Sequence, residues 1–186
     1  RCTVNPSIDR EEWHKIHQVK KRCNVVVVGG GVSGLEAACT AAETGCTVTL
    51  LEKEAELGGW LRKIAKIPRK FRMQRLLDYM LHRADGLKNL TCLTGVIATS
   101  EIIRAFKPDL VVWSIGSEPF HPAIPGLQER LNAPNGRVTD VNGFLKNLDK
   151  EADITGKQIL LAGGGPVALD IAEFFAENGN QVTIVE

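Results

Sequence analysis

Short unbroken apolar runs recur along the chain, each leading into glycine and then into a stretch of helical polarity. Val25–Val28 is the first, a β-branched run of the kind that forms a parallel strand buried on both faces. It passes through residues 29–34, GGGVSG, into LEAACTAAET at 35–44, an alanine-rich helix pattern stopped by Gly45. TVTLLE at 47–52 reads as the next strand. Residues 53–68 read as turn-like around Gly58 and Gly59. RMQRLLDYMLHRADG at 72–86 is an amphipathic helix and NLTCLTG at 89–95 a short strand. TSEIIRAF at 99–106 is a capped helix, and PDLVVWSIG at 108–116 is a further buried strand. A proline-rich exit, PAIPG at 122–126, leads to a short helix at NGFLKNL, 142–148.

The chain then repeats itself. Residues 158–186 overlay residues 24–52 without a gap at a constant offset of 134 (158 − 24), and 11 of 29 positions are identical. The predicted fold class follows: α/β, with two Rossmann-like dinucleotide-binding βαβ units on a mainly parallel sheet, the second unit truncated.

The glycines of each unit have separate tasks. Gly29 permits the tight turn, Gly31 lets the backbone approach a diphosphate, and Gly34 lets the helix pack close to its strand. Backbone N–H groups at the helix start, at Val32 and Ser33, are placed to hold the anion. Glu52, 18 residues past Gly34 (52 − 34), stands where a carboxylate accepts ribose hydroxyls. The second unit repeats this with Gly163, Gly165, Ala168 as the third small residue, and Glu186. Pro166 stands in its first helical turn, where a missing N–H costs little. The carboxylate of Glu186 would repel a 2′-phosphate, which favours NADH over NADPH without excluding NADP(H).

Composition narrows the class. The chain is 44% hydrophobic and 24% charged with a formal net charge of +1, which gives no bulk signal for nucleic acid. No apolar run reaches membrane-spanning length, so no membrane partner is expected. Five cysteines without a C-x-x-C pair read as reduced thiols in a cytoplasmic protein. His14 and His17 lack companions at metal spacing. Seven basic residues lie between 62 and 75 with no acid until Asp78, a solvated face or a docking surface for another domain. A start at Arg1 and a stop at the end of a strand suggest a segment of a longer protein.

Together, VVVGGGVSGLEAA, GCTVTLLEKEAELGGWL, PDLVVWSIGSEPFHPAIPGL and GKQILLAGGGPVALDIAEFFAENGNQVTIVE resemble the two-dinucleotide flavoprotein reductases. With CTVNP near the start, the chain is similar to the 2,4-dienoyl-CoA reductase and trimethylamine dehydrogenase group, long relatives of Old Yellow Enzyme. That resemblance implies FAD on the first unit, with cofactor contacts at Gly29, Gly31, Val32, Ser33, Gly34, Glu52, Lys53, Gly59, Trp60, Val96 and Gly116. It implies NAD(H) on the second, at Gly163, Gly165, Pro166, Ala168 and Glu186. Trp60 stands where the family often has glutamine, and Ser114-Ile115-Gly116 replaces its usual ATG. The group's architecture further implies a (β/α)8 barrel with FMN and a 4Fe–4S centre, for which Cys2 matches the fourth ligand. The expected domains are a linker at 1–21, a FAD-binding domain at 22–125 and the start of a nicotinamide domain at 126–186. The chain's expected partners are its own barrel and C-terminal remainder, and a homo-oligomer is open. The expected activity is that of an NADH:flavin oxidoreductase, inactive as an isolated segment and with no catalytic acid or base in it. Two other readings stay open: a non-redox module holding ADP, and an electron-transfer subunit resembling the small subunit of glutamate synthase.

Overall fold

Four β-branched residues in a row, Val25–Val28, form the centre of the first sheet because both faces of that strand are covered. The computed structural model describes residues 7–131, 133 and 136–186, and Cys2 lies outside the described residues. The chain divides into two units, one running through Ala65 and resuming over Lys70–Ser117, the other comprising Lys66–Arg69 and Glu118–Glu186.

The first unit holds strands β1 (Asn24–Val28), β2 (Thr47–Leu51), β3 (Leu90–Leu93) and β4 (Leu110–Trp113), all parallel, in the order β3-β2-β1-β4. Helix α1 (Val32–Glu43) joins β1 to β2. Helices α2 (Gly59–Ile64) and α3 (Arg72–Asp85) join β2 to β3, and α4 (Ser100–Ala105) joins β3 to β4. Alternation along β1 separates two cores. Val25 and Val27 pack with Leu35, Ala38, Ala42, Met80 and Ala84 from α1 and α3. Val26 and Val28 pack on the other face with Leu51 and Ile103 of α4. The chain changes faces after β3, so the strand order reverses between β1 and β4, and ligands of such sheets bind outside the carboxyl ends at that reversal.

Leu77, Met80 and Ala84 form the buried stripe of α3 at helical spacing. Beside that stripe stands Arg83, which donates to Glu43 at 2.6 and 2.7 Å and to Glu36 at 2.7 Å, tying α3 to α1. Asn89 donates to the carbonyls of Ala42 and Cys46 at 2.7 Å, satisfying acceptors where α1 ends. Thr99 caps α4, accepting from Ile102 N–H, as the sequence predicts.

Two expectations change. The stretch around Gly58 and Gly59 is not only a turn, since α2 starts there and seats Leu61 in the interior. Among the described residues strand β4 is an edge rather than a buried strand, with Leu110 56% and Trp113 63% exposed, because only β1 pairs with it there. Its apolar run does not distinguish an edge from a centre.

The second unit contains α5 (Leu127–Leu131), α6 (Val141–Lys146), α7 (Leu148–Glu151), β5 (Gln158–Ala162), α8 (Pro166–Glu177) and β6 (Gln181–Val185). Strands β5 and β6 pair in parallel, in the same register as β1 and β2. Phe144 of α6 meets Phe174 edge-on at 5.2 Å between ring centres, and Phe175 at 5.6 Å. These three rings anchor the base of α8. Asp140 caps α6 through Gly143 N–H at 2.7 Å and meets His121 Nε2 at 2.9 Å. Arg69 reaches Glu173 and Glu177 on α8 at 2.5 and 2.8 Å. The rest of the basic stretch, Arg62 through Arg75, is half-buried to exposed.

Candidate dinucleotide sites

Strand β1 hands over to α1 through three glycines, and the structure separates their tasks. Gly29 turns with φ 103°, a conformation side chains rarely adopt, and an added Cβ would strike the Ser114 carbonyl beside β4. Gly34 lies one turn into α1, where a Cβ would overlap the Gly29 carbonyl, so the helix sits directly against the turn. Gly31 differs from both. Its backbone is extended (φ −73°, ψ −173°) and an added Cβ meets no atom within 4 Å. Gly31 therefore borders empty space at the helix start.

That start is unpaired by side chains, since the N-cap of α1 has no side-chain hydrogen bond. A helix of 12 residues carries a partial positive charge there, with N–H groups directed outward. Val32 and Ser33 are exposed at this end. The open space, the uncapped helix and the carboxyl-end location fit a diphosphate.

Glu52 supports the loop from behind. It is only 7% exposed, one oxygen accepting from Gly30 N–H at 2.5 Å and the other from Glu54 N–H at 2.8 Å. A carboxylate offers roughly four lone-pair sites, so one on each oxygen is left for a ligand hydroxyl. Lys53 follows on the exposed surface. Val96 is half-buried and donates to the Glu52 carbonyl at 2.9 Å, which brings the exit of β3 to the same acid.

The Gly58-Gly59 pair crosses the loop. Gly58 N–H donates to the Gly30 carbonyl at 2.8 Å, and a Cβ on Gly59 would stand 3.1 Å from Gly31 Cα. Both have positive φ, 110° and 52°, so side chains here would meet strain as well as contact. Trp60 is half-buried with Lys63 Nζ 5.1 Å from its ring centre. Gly116 follows β4 with φ 78° and open space around it.

The second unit repeats the backbone conformation of the turn. Gly163 has φ 110°, Gly165 is extended at φ −71° and ψ 174°, and the N-cap of α8 likewise lacks a side-chain bond. An added Cβ at Gly165 meets nothing within 4 Å, and Glu186 accepts from Gly164 N–H as Glu52 does from Gly30. Pro166 occupies the first helical position and Ala168 is half-buried. Sequence reasoning does not single out the amide–carboxylate bond in either unit. Its signal is the identical spacing from Gly30 to Glu52 and from Gly164 to Glu186.

Thiols lie outside these sites. Burial pushes Cys39 up to about 11 and raises Cys92, so neither is a ready nucleophile at neutral pH. Among the described residues, no group of three or more metal-ligating side chains converges, and no helix is long and apolar enough to cross a membrane.

Known proteins are similar to this chain. The chain is 38% identical over its whole length to an NADH oxidase of Thermoanaerobacter brockii, of which it covers 28%. It is 33% identical to a cinnamate reductase of Clostridium sporogenes, covering 100% of this chain and 26% of that protein. A solved 2-naphthoyl-CoA reductase in complex with 2-naphthoyl-CoA superposes with a TM-score of 0.83 at 31% identity, over 98% of this chain and 26% of that one. The chain thus spans about a quarter of the length of these relatives. Residues 9–119, and again residues 100–186, match the pyridine nucleotide-disulphide oxidoreductases, so the repeated βαβ units are those of a flavin- and nicotinamide-binding reductase region, and the chain belongs to that family.

Proposed function

We propose that this chain is the cofactor-binding region of a flavin-dependent NAD(P)H oxidoreductase, with FAD on the first unit and NADH on the second. Electrons would leave for a 4Fe–4S centre and FMN in a barrel domain elsewhere in the protein. The observation that carries the reading is the open space beside Gly31 and Gly165, each at the uncapped start of a 12-residue helix. The relatives' length, about four times that of this chain, supports a multidomain protein whose further substrate sites lie in other segments.

Bound flavin would supply the chemistry of accepting a hydride from the nicotinamide. The chain's own residues bind and orient. N–H groups of Val32 and Ser33 would hold the FAD diphosphate, and Glu52, with lone pairs left over, would accept from the adenosine ribose. Lys53 and Val96, beside Glu52, would stand at the nucleoside end of the cofactor. Gly59 and Gly116 leave room for the flavin side, with Trp60 as its apolar neighbour. On the second unit, Gly165 and the start of α8 hold the nicotinamide cofactor's diphosphate, and Glu186 its ribose. None of the described residues is assigned a role as acid or base.

The test is spectroscopic. The full-length protein, supplemented with FAD and passed through gel filtration, is expected to carry a flavin spectrum that bleaches when NADH is added without oxygen. Binding of ADP at both units with no flavin retained would instead make the chain a non-redox nucleotide module and overturn the proposal.

A further inference from the structure

Two cysteines stand side by side at the end of the first sheet away from the glycine turn. Cys23 immediately precedes β1 and Cys46 immediately precedes β2, whose first residues Asn24 and Thr47 are register partners. Thr47 N–H donates to the Cys23 carbonyl at 2.9 Å, which fixes the two backbones at this point. Neighbouring strands lie about 4.8 Å apart, inside the window of roughly 4.4–6.8 Å between Cα atoms that a disulfide spans. The side chains turn to the same face, with their Sγ atoms 2.6 Å apart. Cys23 is half-buried and reachable, whereas Cys46 is buried with Thr44 Oγ1 3.7 Å from its sulfur.

We propose that Cys23 and Cys46 are a modification site: they form a reversible disulfide when the protein meets a peroxide, closing the first βαβ unit at its base. The thiolate of Cys23 attacks hydrogen peroxide, the O–O bond breaks, and a sulfenic acid and one water result. The sulfur of Cys46 then attacks that sulfenic sulfur, the S–O bond breaks, and the second water leaves as the S–S bond forms. Two thiols lose two electrons and two protons in total, and one peroxide becomes two waters. The hydrogen bond from Cys46, followed by burial, holds the Cys23 thiol above the ordinary thiol range, so only a small fraction is thiolate at neutral pH and the reaction quickens as pH rises. The closed loop contains the glycine turn and α1 but joins the strands at their opposite ends. The bond therefore restrains the unit without entering its nucleotide face.

Peptide mapping tests this on the chain as it stands. Cleavage after Glu36 and Glu43 separates Cys23, Cys39 and Cys46 onto three peptides. After brief hydrogen peroxide treatment and thiol blocking, the expected product is one linked peptide pair, Cys23 to Cys46, that dithiothreitol releases. The thermal midpoint of the oxidised protein is expected to rise by roughly 5–10 °C and to fall back on reduction. C23S and C46S should each remove both responses. Unlinked Cys23 and Cys46, a linked pair involving Cys39, or sulfinic acid on Cys23 while Cys46 stays free would overturn the proposal. So would an equal thermal shift in C23S.

Discussion

Gly31→Val separates binding from folding at a single position. The backbone there is extended, at φ −73° and ψ −173°, a conformation valine favours, and the new side chain begins in space with no atom within 4 Å. Losing glycine restricts the unfolded chain, which stabilises by about 0.4–1 kcal/mol. Losing the N-cap preference of glycine over valine costs about the same, a few tenths to 1 kcal/mol. The two nearly cancel, so stability should stay within about 0.5 kcal/mol of wild type. Binding responds differently. The valine methyls occupy the space the diphosphate needs, and each charge-assisted hydrogen bond lost is worth about 1.5–3 kcal/mol. At 1.4 kcal/mol per tenfold, one lost bond weakens FAD by roughly 10- to 150-fold and two by correspondingly more. Gly34→Ala is the contrast, because its Cβ overlaps the Gly29 carbonyl and forces α1 off the turn, at about 1–3 kcal/mol of stability. Urea unfolding and FAD titration on both variants decide the matter. A well-folded Gly31→Val protein with unchanged FAD affinity would refute the diphosphate assignment.

Glu52→Ala strips a buried acceptor from Gly30 N–H and should cost about 1–3 kcal/mol in urea unfolding. Glu52→Gln, which keeps an acceptor oxygen, should recover most of that, and equal losses would mean the amide contact is idle. For Asp140, burial pushes the carboxyl upward, but Gly143 N–H and His121 outweigh it and the net shift is downward. Its stabilising contribution is therefore present above the ordinary carboxylate pKa of about 3.9 and lost as pH falls through the lower folded value. Asp140→Asn should flatten unfolding midpoints measured between about pH 5 and pH 2, and an unchanged acid limb would contradict this. On the second unit, Glu186 faces a 2′-phosphate with like charge, so NADH is expected to bind about one to two orders of magnitude more tightly than NADPH. Titration of each cofactor into the protein checks the order, and tighter NADPH binding reverses it.

Much of the fold is legible in the sequence because its signals are local. Val25–Val28 announces a central parallel strand, Leu77, Met80 and Ala84 recur at helical spacing, and Thr99 stands at a helix start. What stays hidden depends on partners distant in sequence. The apolar run of β4 does not reveal that only one neighbour pairs with it among the described residues, and the residues after Gly58 do not show that Leu61 finds an interior to enter. Cys23 and Cys46, 23 residues apart, meet only once the strand register is known. The second unit makes the same point: β5 repeats the pattern of β1, yet Leu160 is 68% exposed where Val26 is 1%.

The duplication also changes what the glycine-to-acid spacing means. In both units the carboxylate at the tip of the second strand accepts from the N–H of the middle glycine, Gly30 for Glu52 and Gly164 for Glu186. The acid must stand at that distance for the loop to hold its shape, whether or not a ribose is present. Its spacing alone therefore reports loop geometry, and so does Gly29, whose Cβ would strike the Ser114 carbonyl, and Gly34, whose Cβ would strike the loop itself. Gly31 and Gly165 are different, since no protein atom requires either to lack a side chain. Nothing within the chain opposes a larger residue at those two positions. Under the proposed function a bound diphosphate would, and the two nucleotide sites then rest on this pair of glycines more than on the rest of the motif.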